Sequence, residues 1–376
     1  MAFPQIPLTR PATRRSWRGR TRTRTRQAAR FLHRRGFLIR PGEFALLDGA
    51  SGGLAVTLMV VLALVSPEPQ AAWAAYAAFW TCLADNRAAP RSRLCAMAAF
   101  VLSGAFIAVL VAASAVPGAV GTGIMIAALV SLCIYLGSRW PGMANVGVLT
   151  AVVAVVAAEQ PAGISGAPGV AIAFVCGGGL ALLLRMASLH VLEKADLATN
   201  SLATNAAHQR SHGGRKGSMA HAGLSGATVL VTYMAAHGAS LLFPQWATMA
   251  AVVVTNMDAR TSWPRTLERV LGSIFGGAVA FLVSAKLSQP SALIWLVLPL
   301  ATATIALRAV NYTLFVVFLT PLFVVVTEIV FPEAARWAAG ARTADNIVGS
   351  LVALAACLSF LLVAASRERI RTARRR

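Results

Sequence analysis

The chain has 376 residues, 57% of them hydrophobic and only 12% charged, with a formal net charge of +21. A soluble domain carries about twice that charged fraction. A large water-soluble domain is therefore excluded, and the chain reads as an all-α polytopic membrane protein. Nucleic acid is not expected as a partner: the basic residues sit in the connections between apolar runs, where the positive-inside rule places them.

Residues 1–43 form an Arg-rich arm; the first forty hold twelve arginines and no acidic residue. Alternating Thr and Arg from Thr21 to Arg26 has no apolar period, so the arm is expected to be largely disordered. It suits cytoplasmic retention and contact with anionic lipids. Arg34–Arg35–Gly36–Phe37–Leu38 has the look of a twin-arginine export signal. No cleavage site follows the next apolar run, so export is not the reading taken.

Twelve apolar spans follow, at about 44–65, 71–85, 93–114, 118–137, 141–158, 166–186, 220–242, 245–258, 267–286, 291–308, 311–331 and 345–366. They group into a first six-helix module (44–186), a cytoplasmic linker (187–219), a second module (220–366) and a basic tail (367–376). Trp73, Asp85, Arg87 and Gly104 recur as Trp246, Asp258, Arg260 and Gly277 at a constant offset of 173. Pro90–Arg91 recurs one residue further on as Pro264–Arg265. One module used twice, with an even number of spans each, gives parallel repeats about a pseudo-two-fold axis along the membrane normal. Spans two and eight are short for a hydrocarbon core of ~30 Å, a paired feature that points to a transport pathway.

With both termini cytoplasmic, only Lys286, Arg336 and Arg342 of the 34 lysines and arginines fall outside. The localisation expected is a multi-pass protein of a bacterial inner membrane. The linker holds His190, and His208 and His212 lie four apart with His221 beyond. No carboxylate or cysteine completes a ligand set, so no metal is expected. Cys82, Cys95, Cys133, Cys176 and Cys357 fall in apolar spans without a CxxC pair and read as small core residues. No phosphate-loop, nucleophile-elbow, zincin or dinucleotide motif occurs, so neither an enzyme nor a cofactor is expected.

Candidate functional residues lie in the fifth span of each half. Arg139 and Glu159 recur as Arg308 and Glu328 at an offset of 169. Twenty residues of helix span about 30 Å, so each span carries an arginine at its cytoplasmic mouth and a glutamate at its outer mouth. Arg139 and Arg308 are candidates for binding an organic carboxylate; Glu159 and Glu328 are candidates for proton coupling. The alternative is that all four are ordinary flanking charges. Asn311 and Tyr312 open span eleven and are further substrate-site candidates. Asp85, Arg87, Asp258, Arg260 and Arg265 occupy equivalent turns, as structural charge pairs or as a gate. Gly272, Gly276 and Gly277 permit close helix approach, expected at the contact between halves. Trp73, Trp246, Trp295 and Trp337 are expected as interfacial anchors.

The segment WATMAAVVVTNMDARTSWPRTLERVLGSIFGGAVAFLV, Trp246 to Val283, resembles the signature region of the fusaric acid resistance (FUSC) family, which includes aromatic acid exporters. The short Trp-led span, the polar turn, Arg265 and Arg269, and the glycine run LGSIFGGAVA carry the resemblance. The first half keeps the turn as DNRAAPRSRL but has VLSGAF in place of the glycine run. The resemblance implies a proton-driven inner-membrane exporter of aromatic carboxylates, in a short form without the family's large cytoplasmic domain. It leaves room for a periplasmic adaptor or a homo-oligomer. A distant similarity to plant aluminium-activated malate transporters keeps a passive anion channel open. A non-transporting scaffold, docking a partner through its basic ends, is the third reading.

Overall fold

The computed structural model describes residues 45–114, 116, 118–140, 142–160, 162–194, 215–255, 259–287, 289–330 and 335–374. Among them are twelve α-helices and no strand. The first six are α1 (Leu46–Val65), α2 (Ala72–Ala84), α3 (Pro90–Ala112), α4 (Gly118–Gly137), α5 (Ala144–Glu159) and α6 (Gly163–Lys194). The second six are α7 (Arg215–Gly238), α8 (Pro244–Val254), α9 (Ala259–Lys286), α10 (Pro290–Leu307), α11 (Tyr312–Val330) and α12 (Ala335–Arg374). Each expected span finds a helix. Apolar periodicity located them, but backbone hydrogen bonding carries α6, α7 and α12 past the apolar limits, so helix replaces both edges of the expected linker. The arm and residues 195–214, with His208 and His212, lie outside the described residues.

Local sequence explains the helix starts. Proline occupies the first turn of α3, α8 and α10, where its missing N–H costs no helical hydrogen bond. Within the helices, the hydroxyls of Thr57, Thr228, Thr232, Thr304, Thr320 and Thr327 donate to the carbonyl four residues back. Each thus satisfies its own donor where no water is available.

Seven helices (α1, α3, α4, α6, α9, α11 and α12) are long and apolar enough to cross a membrane, and α5, α8 and α10 are shorter apolar helices. Large apolar side chains face outward on the peripheral helices: Leu102 and Phe106 on α3, Ile172 and Leu183 on α6, Phe281 on α9. That outward apolar face is what a lipid-solvated bundle requires. The short helices are the enclosed ones. Eleven of the 13 residues of α2 and eight of the 11 of α8 are buried. In α11, 78% of the apolar window is buried, against 28–44% in the other six. Helices surrounded by protein need not match the hydrocarbon thickness, which accounts for the length of α2 and α8.

Glycine sets the packing distances. A Cβ on Gly177 in α6 would lie 1.9 Å from the Ala74 carbonyl oxygen of α2, and one on Gly349 in α12 would lie 1.9 Å from that of Ala247 in α8. The halves meet along two long seams, α1 on α10 and α4 on α7. In the first, Gly53 allows close approach to Leu298 and Thr302; in the second, Gly226 allows it to Ala127 and Ser131. Gly272 and Gly276 instead fit α9 against Thr313, Val316, Val317 and Thr320 of α11, and Gly277 meets Thr343 of α12. These three glycines therefore pack inside the second half, not between halves as expected from sequence. The glycines at the seams lie instead on α1 (Gly49, Gly52 and Gly53), α4 (Gly123) and α7 (Gly226).

The tryptophan expectation divides. Trp295 and Trp337 are 80% and 64% exposed, but Trp73 and Trp246 are buried. Both belong to the enclosed short helices, where aromatic bodies fill the centre. Cysteines divide too: Cys82, Cys133 and Cys357 are buried, whereas Cys95 and Cys176 are exposed on apolar outer faces.

Candidate functional site

The turn between α2 and α3 is built by its own side chains. The Asp85 carboxylate accepts from the Arg87 backbone N–H at 2.9 Å, and Asn86 Oδ1 accepts from that of Ala88 at 3.1 Å. This holds Arg87 at φ 53°, a left-handed conformation rare for a side chain of its size. Asp85 pairs by side chain with Arg93 at 2.6 Å and with Arg185 at 3.3 Å. Asp48 completes the cluster, pairing with Arg93 at 2.7 Å and with Arg185. Burial raises the Asp85 carboxyl, but the Arg93 and Arg185 guanidinium groups and the Arg87 N–H outweigh it and hold its pKa below the ordinary value. Arg87 itself reaches across to the Ile305 carbonyl at 3.3 Å. Asp85 and Arg87 are thus a turn device whose charge partners are Arg93 and Arg185.

Arg139 and Arg308 occupy different environments. Arg308 donates to the carbonyls of Cys82 (3.3 Å), Leu83 and Asp85 (3.0 Å), the last turn of α2. Those carbonyls have no helical donor, and a cation there also offsets the negative end of the helix dipole. Asn145 adds a bond to Leu83 O at 2.6 Å. Arg139 is exposed, donates to the Tyr135 hydroxyl at 3.1 Å and lies over that ring. Asn311 caps α11, its Oδ1 accepting from the Leu314 N–H at 3.0 Å. Tyr312 anchors Arg269 through its hydroxyl at 3.1 Å and stacks on Phe315. Arg265 is exposed on α9. Asp258 and the Arg260 side chain lie outside the described residues.

The glutamates sit at the opposite end of the bundle. Glu159 closes α5, with Oε1 3.4 Å from His237 Nε2 on α7. The Tyr233 ring lies 4.1 Å from the His237 ring, and the Tyr233 backbone carbonyl is 3.0 Å from His237 Nδ1. Glu328 is buried on α11 and accepts from the Ser284 hydroxyl of α9. One glutamate therefore faces a titratable partner and the other a neutral one.

Sequence reading passed over the residues that this arrangement makes most unusual. Asp48 and Arg185 are charged side chains inside apolar helices, a signal available from sequence. Arg269 and Arg342 carry the same signal; they are 4% and 1% exposed. Arg269 donates to Asn346 Oδ1 at 2.7 Å as well as to Tyr312. Among the described residues, no group of three or more His, Cys, Asp and Glu side chains gathers to hold a metal.

A helical bundle with an apolar outer face, enclosed short helices and buried ion pairs is a multi-pass membrane protein. Residues 227–356, running from α7 into α12, match the family model described as fusaric acid resistance protein-like. Over those residues the chain is similar to that family, a similarity that suggests a membrane transporter-like role. No curated protein and no solved structure matches the chain.

Proposed function

We propose that the protein is a secondary transporter that exports aromatic or other amphipathic carboxylates across a bacterial inner membrane, coupled to protons. The single observation that carries this reading is the enclosed set α2, α5, α8 and α11. These helices are the shortest or most buried, they come two from each half, and charged side chains flank α5 (Arg139 and Glu159) and α11 (Arg308 and Glu328). Paired short helices inside a shell of longer ones are a recurring arrangement for a path through a membrane. The two seams support treating the halves as parallel repeats: Gly53 and Gly226 are 173 residues apart and each fits the other half. Alternating access would then rock one module against the other along α1–α10 and α4–α7.

Within this proposal, Glu159 with His237 and Tyr233 is the proton-handling group, and Glu328 is its weaker counterpart. Arg139 gathers anions at the exposed mouth, while Arg308 holds α2 in place. Both termini lie in the cytoplasm, with the basic arm on anionic lipid. A periplasmic adaptor and a homo-oligomer are partners this topology accommodates. No cofactor enters, and no covalent chemistry is assigned.

The test is flux of a labelled hydroxybenzoate from vesicles holding the purified protein, with and without an imposed pH gradient. Uphill movement driven by the gradient is the expected result. Downhill movement that carries current and ignores the gradient would replace coupling by a channel. No flux over a panel of carboxylates would remove the reading.

A further inference from the structure

Arg342, on α12, is 1% exposed, yet its Nε and Nη1 have no hydrogen-bond partner. It forms no ion pair among the described residues; Asp345, one turn on, is its nearest acidic influence and leaves its own Oδ2 unpartnered. Its guanidinium carbon lies 4.9 Å from the Trp246 ring of α8 and 4.4 Å from the Phe323 ring of α11. Phe323 in turn packs on Tyr76 (6.2 Å) and Phe79 (5.6 Å) of α2, and Tyr76 stacks on Trp80 at 5.4 Å. Three of the enclosed helices, α2 from the first half and α8 and α11 from the second, therefore contribute to one aromatic cluster around one cation.

A buried cation with donors to spare is costly unless an anion completes it. Aromatic faces stabilise a guanidinium through its π surface but take up none of its in-plane N–H groups. What remains is an edge that suits a carboxylate. Placed end-on it would bond Nη1 with Nη2, and side-on Nε with Nη2, so either pose takes up one of the two unpartnered nitrogens. Arg269 nearby is satisfied by neutral acceptors and adds positive potential. By contrast the Asp48–Asp85–Arg93–Arg185 cluster balances two carboxylates against two guanidinium groups. Among these four side chains the charges cancel.

We propose that Arg342 is the residue that takes the carboxylate of the transported anion, with Trp246, Phe323 and Tyr76 receiving its ring. This deepens the transporter reading and rests on it. The experiment uses the full chain in nanodiscs and three probes: benzoate, cyclohexanecarboxylate and benzamide. Binding is measured with labelled probe. Wild type is expected to bind benzoate best, cyclohexanecarboxylate less well and benzamide least. Arg342→Gln should weaken benzoate by at least about thirty-fold, since a bidentate charged pair is lost. Arg342→Lys should recover part of that, and Lys286→Gln, a change at an exposed helix end, should have no effect. If Arg342→Gln does not yield monodisperse protein, Phe323→Leu serves. It should weaken benzoate by about five-fold or more and leave cyclohexanecarboxylate within two-fold. Wild-type benzoate affinity in folded Arg342→Gln, or in Phe323→Leu, overturns the site while leaving transport standing. A wild-type protein that neither binds nor moves any carboxylate overturns the transporter reading as well.

Discussion

Replacing Arg308 by alanine separates two tasks that its position allows, holding α2 and holding an anion. Three carbonyls of α2 lose a donor, but not equally. The Cys82 bond is long at 3.3 Å, and Leu83 O keeps Asn145 at 2.6 Å. Asp85 O, bonded at 3.0 Å, loses its Arg308 donor. A hydrogen bond from a charged donor contributes about 1.5–3 kcal/mol. One such bond lost outright and two partly lost give a destabilisation of about 2–4 kcal/mol. For domains of 150–250 residues 1 kcal/mol moves the melting temperature by about 2–4 °C; in this longer chain a fall on the order of 5 °C is expected. Tryptophan fluorescence of the detergent-purified protein reads it. Arg308→Lys, with a single ammonium for the fork, should lose about half as much. Arg139→Ala, which removes an exposed side chain bonded to and lying over Tyr135, should melt within about 1 °C of wild type. Should Arg308→Ala melt with the wild type and yet transport nothing, the capping argument fails and the guanidinium serves the anion.

Other changes test the packing and the charge clusters. Gly177→Ala and Gly349→Ala each drive a Cβ to 1.9 Å from a backbone oxygen, which cannot yield as a side chain would, so both should cost about 1–3 kcal/mol and cut the yield of folded protein. Gly179→Ala, with open space at its Cβ, should be neutral or stabilising by up to about 1 kcal/mol in the same melts. Asp48→Asn leaves the buried Arg185 with Asp85 alone, at 3.3 Å, and should cost about 2–4 kcal/mol, read as loss of monodisperse protein. Because the folded pKa of Asp85 lies below its unfolded value of about 3.9, its contribution is complete above that value and is lost as pH falls through the folded pKa. Melting temperature should therefore show no step assignable to Asp85 between pH 5 and 8, and Asp85→Asn should remove the acid-limb fall below about pH 4. His237→Asn should reduce gradient-driven flux of hydroxybenzoate at least several-fold while leaving downhill exchange in place; equal loss of both would count against a proton role for the Glu159 pair.

The helices were legible because each is a continuous apolar run and the connections carry the charge. Their order around the centre was less so. Spans two and eight stood out by their shortness, and the structure gives the reason: Trp73, Tyr76, Phe79 and Trp80 on α2 and Trp246 on α8 face protein, not lipid. Composition treats an aromatic near a span end as an anchor, so Trp73 and Trp246 could not be told from Trp295 and Trp337 by sequence. The glycine run on α9 was legible as close packing, but which helix it meets depends on topology, and the partners proved to be α11 and α12. Asn311 did carry a readable sign, since Asn ahead of an apolar run is a favoured N-cap, whereas the Tyr312 bond to Arg269 depends on which helices meet.

The charge count by position also hid the residue that matters most to the proposal. Counted as one of three cations on the outer side, Arg342 looked like an exception to the positive-inside rule. Its burial changes the question from topology to energy. A peripheral cation near a helix end reaches water along its own stem, but Arg342 is enclosed by Trp246 and Phe323. Asp48, Asp85, Arg93 and Arg185 show how this chain buries charge when structure alone is at stake: each guanidinium faces two carboxylates. Arg342 departs from that pattern where helices of both halves converge. A group that destabilises its own fold there is expected to be retained for what it recognises.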